Sequence, residues 1–363
     1  MKKLVVLVFV ALFAVLGCTK KEGADGAAGT AAGETYKLRM SSIYADPGVG
    51  DITYKSLGAA MQKFIKDVDE KTGGRVQIQG FYASVLGSAN DTFQQMERGE
   101  IDIYYGQPMS AIDTRFGAWS IPYLFRDYDE IRTHVANPDS EFFKLSASWM
   151  SEHGAVLLAM GLSNTRGMFN TKHRVTDVQS VSDLKLRTYE DPVVSAFWED
   201  ICQAMPMPVS EVYTAMQTNS IDGLEFPPTS VIGRKYQEVG KFYSDINWQW
   251  ANGAAFVINT DSFNKLPDDL KQIVTDCARE AAVFQGEREI ADEAVSFDTL
   301  KAAGVEIYNL TPEERQSWVD YSNSIAEKIR TAVGAEAYDA VINIVQADRT
   351  AEPVAAEATE AAE

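Results

Sequence analysis

The sequence predicts an α/β chain of two domains tied together by one long helix, and three observations predict it. Strand-like and helix-like segments alternate from about Tyr36 to Gln346. The chain has 363 residues, 45% apolar and 10% aromatic, enough for a sizeable core and a soft expectation of two domains. Between Pro267 and about Leu300 apolar residues recur at Leu270, Ile273, Val274, Cys277, Ala281, Phe284, Ala291, Ala294, Val295 and Leu300, a helical period kept for some 34 residues. At 1.5 Å per residue such a helix is about 50 Å long, wider than one domain, so it must run across two.

The elements follow in order. Lys2 and Lys3 precede thirteen apolar residues, Leu4 to Leu16. That run is too short to span a bilayer, and its basic front end makes residues 1–17 a signal peptide. Val15-Leu16-Gly17-Cys18 looks like a lipobox, so Cys18 is the candidate lipidation site and the protein is expected in the periplasm, held to a membrane by that anchor; the alternative is an ordinary signal peptide with an incidental Cys. Residues 18–35 carry almost no large apolar side chain and read as a flexible tether. Residues 36–43 and 75–81 alternate as strands around a helix over 53–71, with Leu57, Met61, Phe64, Ile65 and Val68 on one face and Gly73-Gly74 as its stop. This is a β-α-β opening. A short helix over 88–98 ends at Gly99 and is followed by the apolar run 101–105. One helix is expected over 127–150, strands over 156–160 and 185–189, and helices over 192–204 and 211–218 flanking Met205-Pro206-Met207-Pro208. Thr311-Pro312-Glu313-Glu314 supplies an N-cap, a first-turn Pro and a capping-box Glu for a further helix. Residues 347–363 are rich in Ala and Glu and read as a disordered acidic tail.

Composition removes whole classes of function. A formal charge of −19, from 33 Lys+Arg against 52 Asp+Glu, makes nucleic acid an unfavourable partner. Three His and three Cys, with no CxxC, HxxH or HExxH spacing, argue against a metal or haem centre. No GxGxxG, GxxxxGK[ST] or GxSxG occurs, so neither a cofactor nor an enzyme is expected. Glu190-Asp191 reads as a loop or helix start ahead of an acid/base pair, and His134, His153 and His173 lie in separate segments. Cys202 and Cys277 are read as two thiols packing like small hydrophobes, with a disulfide closing a long loop as the alternative.

Several motifs, taken in order, resemble the solute-binding subunits of tripartite ATP-independent periplasmic (TRAP) transporters. They are Thr72-Gly73-Gly74-Arg75-Val76, Leu86-Gly87-Ser88, Gly99-Glu100-Ile101-Asp102, Asp183-Leu184-Lys185-Leu186-Arg187, the run from Ser210 to Thr218 with Ile221-Asp222-Gly223-Leu224-Glu225, and Phe263 through Gln272. The likeness spans about 36–346. It implies a two-lobed periplasmic-binding-protein clamshell whose long helix crosses both lobes, with lobe I over 36–163 plus 252–291 and lobe II over 164–251 plus 292–346. It also implies a carboxylate ligand held by the Arg that matches Arg187, since a guanidinium fork pairs with a carboxylate through two charge-assisted hydrogen bonds. A strand-end Arg in a surface ion pair is the plainer reading of Arg187 alone. Arg166 matches a second Arg that some members place near the carboxylate.

The departures bear on the ligand. Many members carry an Asn where this chain has Phe226, after Glu225, and an apolar ring cannot supply the amide's hydrogen bond. The Gly before Lys-x-Arg is absent, and Thr188-Tyr189 replaces the usual Val-Pro. With Tyr189, Phe169, Trp248 and Tyr105 as further candidate ligand residues, the expected ligand is a carboxylate with an apolar body. The resemblance implies delivery to TRAP permease subunits, and some relatives add a tetratricopeptide-repeat lipoprotein, a candidate partner here. A sensor subunit for a membrane signalling partner is the alternative function, and an enzyme on the same scaffold a third.

Overall fold

In the computed structural model residues 34–351 are described, and from Thr35 onward they belong to one unit. β1 (Tyr36–Ser42), α1 (Ser56–Lys71) and β2 (Val76–Phe81) form the expected β-α-β opening, with Met40, Met61, Phe64, Val68 and Val76 buried together. α2 (Ala89–Glu97) starts at a reciprocal cap: the Ser88 hydroxyl accepts from the Asp91 N–H and the Asp91 carboxylate accepts from the Ser88 N–H. β3 (Ile103–Gly106), α3 (Tyr128–His134), α4 (Glu141–Glu152), β4 (Ala155–Thr165) and β5 (Gly167–Asn170) follow. Then come β6 (Lys185–Thr188), α5 (Pro192–Trp198), β7 (Gln203–Pro206), α6 (Val212–Gln217), β8 (Gly223–Phe226), α7 (Pro228–Gly233), β9 (Phe242–Asp245) and β10 (Trp250–Asn259). The chain continues through α8 (Thr260–Asn264), α9 (Asp268–Ala302), β11 (Glu306–Asn309), α10 (Pro312–Ser324), α11 (Ala326–Val333) and α12 (Ala335–Ala351).

The strands form two sheets. The first has the order β2-β1-β3-β10-β4, parallel across β2, β1 and β3 and antiparallel where β10 pairs with β3 and β4. The second runs β11-β9-β5-β8-β6-β7. Three connections join them. β4 passes into β5 with only Arg166 between, β9 reaches β10 through residues 246–249, and α9 packs on α1 and β4 at one end and on α7 and β11 at the other. The Arg166 N–H donates to the Gln249 carbonyl at 2.9 Å, so the two strand crossings lie side by side.

Four local expectations are corrected. The helix expected over 127–150 is two, because Asn137-Pro138 interrupts it; a Pro has no N–H to continue the ladder, and Ser140 caps the second helix by accepting from the Phe143 N–H. The helix expected over 192–204 stops at Trp198, since residues 203–206 are taken up by parallel pairing with β6, which places Cys202 in a turn. α12 extends into the expected tail as far as Ala351, where Arg349 donates to the Glu130 carboxylate and the Leu124 carbonyl. It packs on α4 and on a 3-10 turn (Thr114–Ser120), elements from the first half of the chain. The buried face of α9 also differs from the expected stripe. Ala291, Ala294 and Val295 are exposed, and Gln285, Gly286, Glu289, Asp292 and Ser296 face inward instead.

Candidate ligand-binding cleft

A cleft of about 440 Å³ opens where the strands of both sheets end. Its wall is supplied by the segments that leave the C-terminal ends of β1 (Ile43, Tyr44), β3 (Gln107, Met109), β6 (Tyr189, Glu190), β7 (Met207, Val209) and β8 (Pro227, Thr229). Strand ends are where side chains and loops converge without being used up by ladder hydrogen bonds, and open α/β sheets place ligands there. The first turns of α1 and α2 add Ser56, Ser88 and Asn90, and α9 contributes Glu289.

Arg187 sits on β6, between β8 and β7, with its side chain at the cleft wall and 3% of the residue exposed. Its Nε donates to the Met207 carbonyl at 3.0 Å, which fixes the plane of the guanidinium, and Tyr189 stands 5.9 Å from its Cζ. No carboxylate among the described residues forms an ion pair with it. Burial pulls its pKa down to about 10, with Glu225 opposing that shift and Arg166 and Arg234 adding to it. A buried cation without a counter-ion is costly, and an anion arriving from the cleft removes that cost.

Arg166, 6% exposed, is engaged differently. Its Nε donates to the Glu225 carboxylate, and its Nη2 to Glu225 Oε1 at 3.0 Å and to the Glu225 carbonyl at 2.9 Å. Burial works against the charge, but Glu225 outweighs it and holds the Arg166 pKa above its ordinary value. The ring centroids of Tyr189 and Phe226 lie 5.1 and 5.3 Å from Arg166 Cζ, within cation–π range of both. Its charge is already matched.

Of the eight candidate ligand residues, Arg187, Arg166, Tyr189 and Phe226 line the cleft. The other four stand behind it. Glu225 is fully buried and serves Arg166 and the Trp248 Nε1–H, which donates to it at 3.2 Å. Trp248 packs in the core against Phe197 and Trp198. Phe169 lies in the core of the second sheet, pressed against Gly240. Tyr105 stacks on Phe256 at 4.2 Å and meets the cleft residue Tyr44 edge-on at 5.6 Å. Cys18 lies outside the described residues. Cys202 and Cys277 are free thiols, with burial pushing them up to about 12 and about 11. Asp191 is a helix start, accepting from the Val193 and Val194 N–H groups.

Several cleft residues were missed from sequence. Glu289 accepts from the Ser56 hydroxyl of α1 and lies 3.0 Å from the Thr229 hydroxyl of α7, and burial pushes its carboxyl up to about 7. Arg234, at the end of α7, lines the same cleft and forms no ion pair among the described residues. A signal existed for Glu289: it falls on the α9 face that carries Cys277, Ala281 and Gln285 at steps of four, so helical spacing alone directs it inward.

Comparisons with known proteins bear on this geometry. Residues 52–331 match the family model described as bacterial extracellular solute-binding protein, family 7. A solute-binding protein of Verminephrobacter eiseniae is 28% identical over 288 residues, covering 76% of this chain and 85% of its own. The 2,3-diketo-L-gulonate-binding periplasmic protein of Escherichia coli is 27% identical over 306 residues, covering 84% and 90%. Among solved structures, the sugar acid binding protein of Advenella mimigardefordensis in complex with galactonate superposes with a TM-score of 0.79 at 21% identity, over 86% of this chain and 98% of that one. A TRAP periplasmic solute binding protein of Roseobacter denitrificans with bound β-D-glucuronate gives 0.77 at 25% identity, over 86% and 99%.

Proposed function

The chain belongs to family 7 of the bacterial extracellular solute-binding proteins, and from that premise we propose that it captures a small organic acid in this cleft and delivers it to the membrane subunits of a TRAP-type secondary transporter. It is a binding protein and not an enzyme. The observation that carries the ligand class is Arg187: a buried, oriented guanidinium at the cleft wall with no carboxylate partner among the described residues. In a chain of formal charge −19, Arg187, Arg234 and Lys55 gather positive charge at one place. That is what an anion needs to enter.

The two sheets are taken as the cores of two lobes, with the acid making contacts to both only when they close on it. The body of the acid then lies against Phe226, Met207, Pro208 and Val209, which give it an apolar side. Ser88, Asn90 and Gln107 face the same space and suit hydroxyl groups. Sugar acids bound by relatives of the same fold favour a second reading, a polyhydroxylated acid that uses this polar wall. Anchoring through Cys18 is part of the same proposal and rests on its lipobox; loss of fatty-acid labelling in Cys18→Ser tests it.

Calorimetry decides between the ligand readings with phenylacetate and 4-methyl-2-oxopentanoate on one side and D-glucuronate and galactonate on the other. An apolar body predicts tighter binding of the first pair, and preference for the second overturns it. Arg187→Ala is expected to weaken whichever acid binds by about 3 kcal/mol, over a hundredfold in Kd. A change within about threefold would remove Arg187 as the anchor.

A further inference from the structure

The cleft contains a carboxyl group that the capture of an acid does not use, and its hydrogen bonds do not add up unless it carries a proton. Asn164 Nδ2 donates to the Tyr128 hydroxyl at 2.8 Å and to the Glu289 main-chain carbonyl at 3.1 Å. That carbonyl can only accept, so the amide orientation is set and Asn164 Oδ1 is the atom facing the Thr229 hydroxyl, 2.6 Å away. Thr229 has a single hydroxyl hydrogen, and it is committed to Asn164. The same Thr229 oxygen nevertheless lies 3.0 Å from Glu289 Oε2. Two bare oxygen acceptors at that distance repel, whereas a proton on Oε2 donated to Thr229 makes the contact a hydrogen bond. The other oxygen of Glu289 accepts from the Ser56 hydroxyl.

We propose that Glu289 is a proton-binding site of the ligand cleft, and that in its neutral form it joins the two sides of the cleft through Ser56 of α1 and Thr229 of α7. The proposal rests on the cleft being the ligand site, and it adds a proton to what the cleft holds. Glu289 is 3% exposed, on the helix that packs against both α1 and α7. The groups around it fit a neutral acid. On its own helix Asp292 and Glu293 add negative charge and push its pKa in the direction burial does, while Arg288 is paired with Asp292. Tyr44, Tyr105 and Tyr128 face it from the loop after β1, from β3 and from α3, all neutral phenols because burial raises them. Lys55, Arg166, Arg187 and Arg234 share the cleft wall, Arg166 being matched by Glu225. An acid bound there adds negative charge and strengthens the hold on the proton. Capture and proton uptake therefore favour each other.

The sign follows from linkage. An unfolded Glu is half-ionised at about pH 4.3, whereas burial pushes the carboxyl of folded Glu289 up to about 7. Unfolding between these values releases a proton, so stability from this group falls as the pH rises from 5 to 7 and is level above 8. Glu289→Gln keeps an acceptor for Ser56 and a donor for Thr229 and cannot titrate.

The test uses the ligand-free protein, so it stands apart from whether any acid binds at Arg187. Thermal unfolding is measured for wild type and Glu289→Gln from pH 5 to 9, with hydrogen exchange of residues 54–58 and 228–233 at matched intrinsic rates. The expected result is that the Tm of wild type falls by several degrees relative to the variant between pH 5 and 8, the gap then staying constant. Exchange in both segments quickens above pH 7.5 in wild type alone. A gap independent of pH, or exchange that changes alike in both proteins, would overturn the proposal. Failure of every acid in the calorimetric panel would instead remove the ligand reading and leave these two outcomes to decide the proton site.

Discussion

Arg166 and Arg187 differ in sequence only by their neighbours, yet the fold gives them opposite surroundings. Arg166 occupies the single position between β4 and β5, where Glu225 on the adjacent strand β8 reaches it with both carboxylate oxygens. Arg187, one strand further on, donates to the Met207 carbonyl and pairs with no carboxylate among the described residues. Separation of 59 residues hides the Arg166–Glu225 pair from any reading of the sequence, whereas Lys185-Leu186-Arg187 is local and legible. The pair is a matched buried charge, so removing one member leaves the other stranded. Glu225→Ala is expected to lower unfolding free energy by about 3–5 kcal/mol, measured by urea denaturation, because Arg166 and the Trp248 N–H both lose their acceptor. Glu225→Gln keeps an oxygen for one of them and should cost less. A loss under about 1 kcal/mol for the Ala variant would mean that water reaches Arg166 and that its burial is not what Glu225 compensates.

At the scale of elements, local signals were legible and long-range ones were not. The Gly73-Gly74 stop, the Ser88 cap and the Thr311 capping box each act within four residues, and the helices they bound lie where the spacing predicts. β5, β8, β9 and β11 are four residues each, too short for a period to show, and exist because neighbouring strands supply their hydrogen bonds. The length of α9 was legible; its inward face in the middle was missed because small and polar residues occupy it where the helix packs on β4, although the steps of four from Cys277 to Glu289 pointed to it. A Cβ on Gly286 would come within 2.8 Å of Leu162 Cγ, and one on Gly161 within 2.1 Å of Gln285 Oε1. The glycines allow the close approach. Gly286→Val is therefore expected to destabilise by about 1–3 kcal/mol through overpacking, even though replacing Gly by Val in a helix is itself favourable by a few tenths of a kcal/mol. Denaturant unfolding of the variant checks this, and a rise in stability would show that α9 has room to move off β4.

For the whole molecule, the question is whether the two sheets unfold separately or together. Three connections cross between them, and α11 and α12 add a fourth tie. Val333 and Val193 both approach Gly117, so α11, α5 and the 3-10 turn share one packed region. One core cluster also runs from Phe93 and Phe116 through Trp198 and Trp248 to Trp318 and Val341, drawing on residues beside both sheets. This shared cluster couples the two halves beyond the separate clusters that each sheet keeps, which favours joint unfolding. The chain should then behave as one cooperative unit despite a length that usually signals two domains. An acid that fills the cleft as proposed would touch the strand ends of both sheets and stabilise the folded chain by RT ln(1 + [L]/Kd), about 2.7 kcal/mol at a hundredfold excess over Kd. Calorimetric unfolding is therefore expected to show a single transition that moves upward intact as the binding acid is titrated in. Two transitions, with only one of them moving, would mean that the acid is held by one sheet alone and that the cross-sheet packing does not couple the halves.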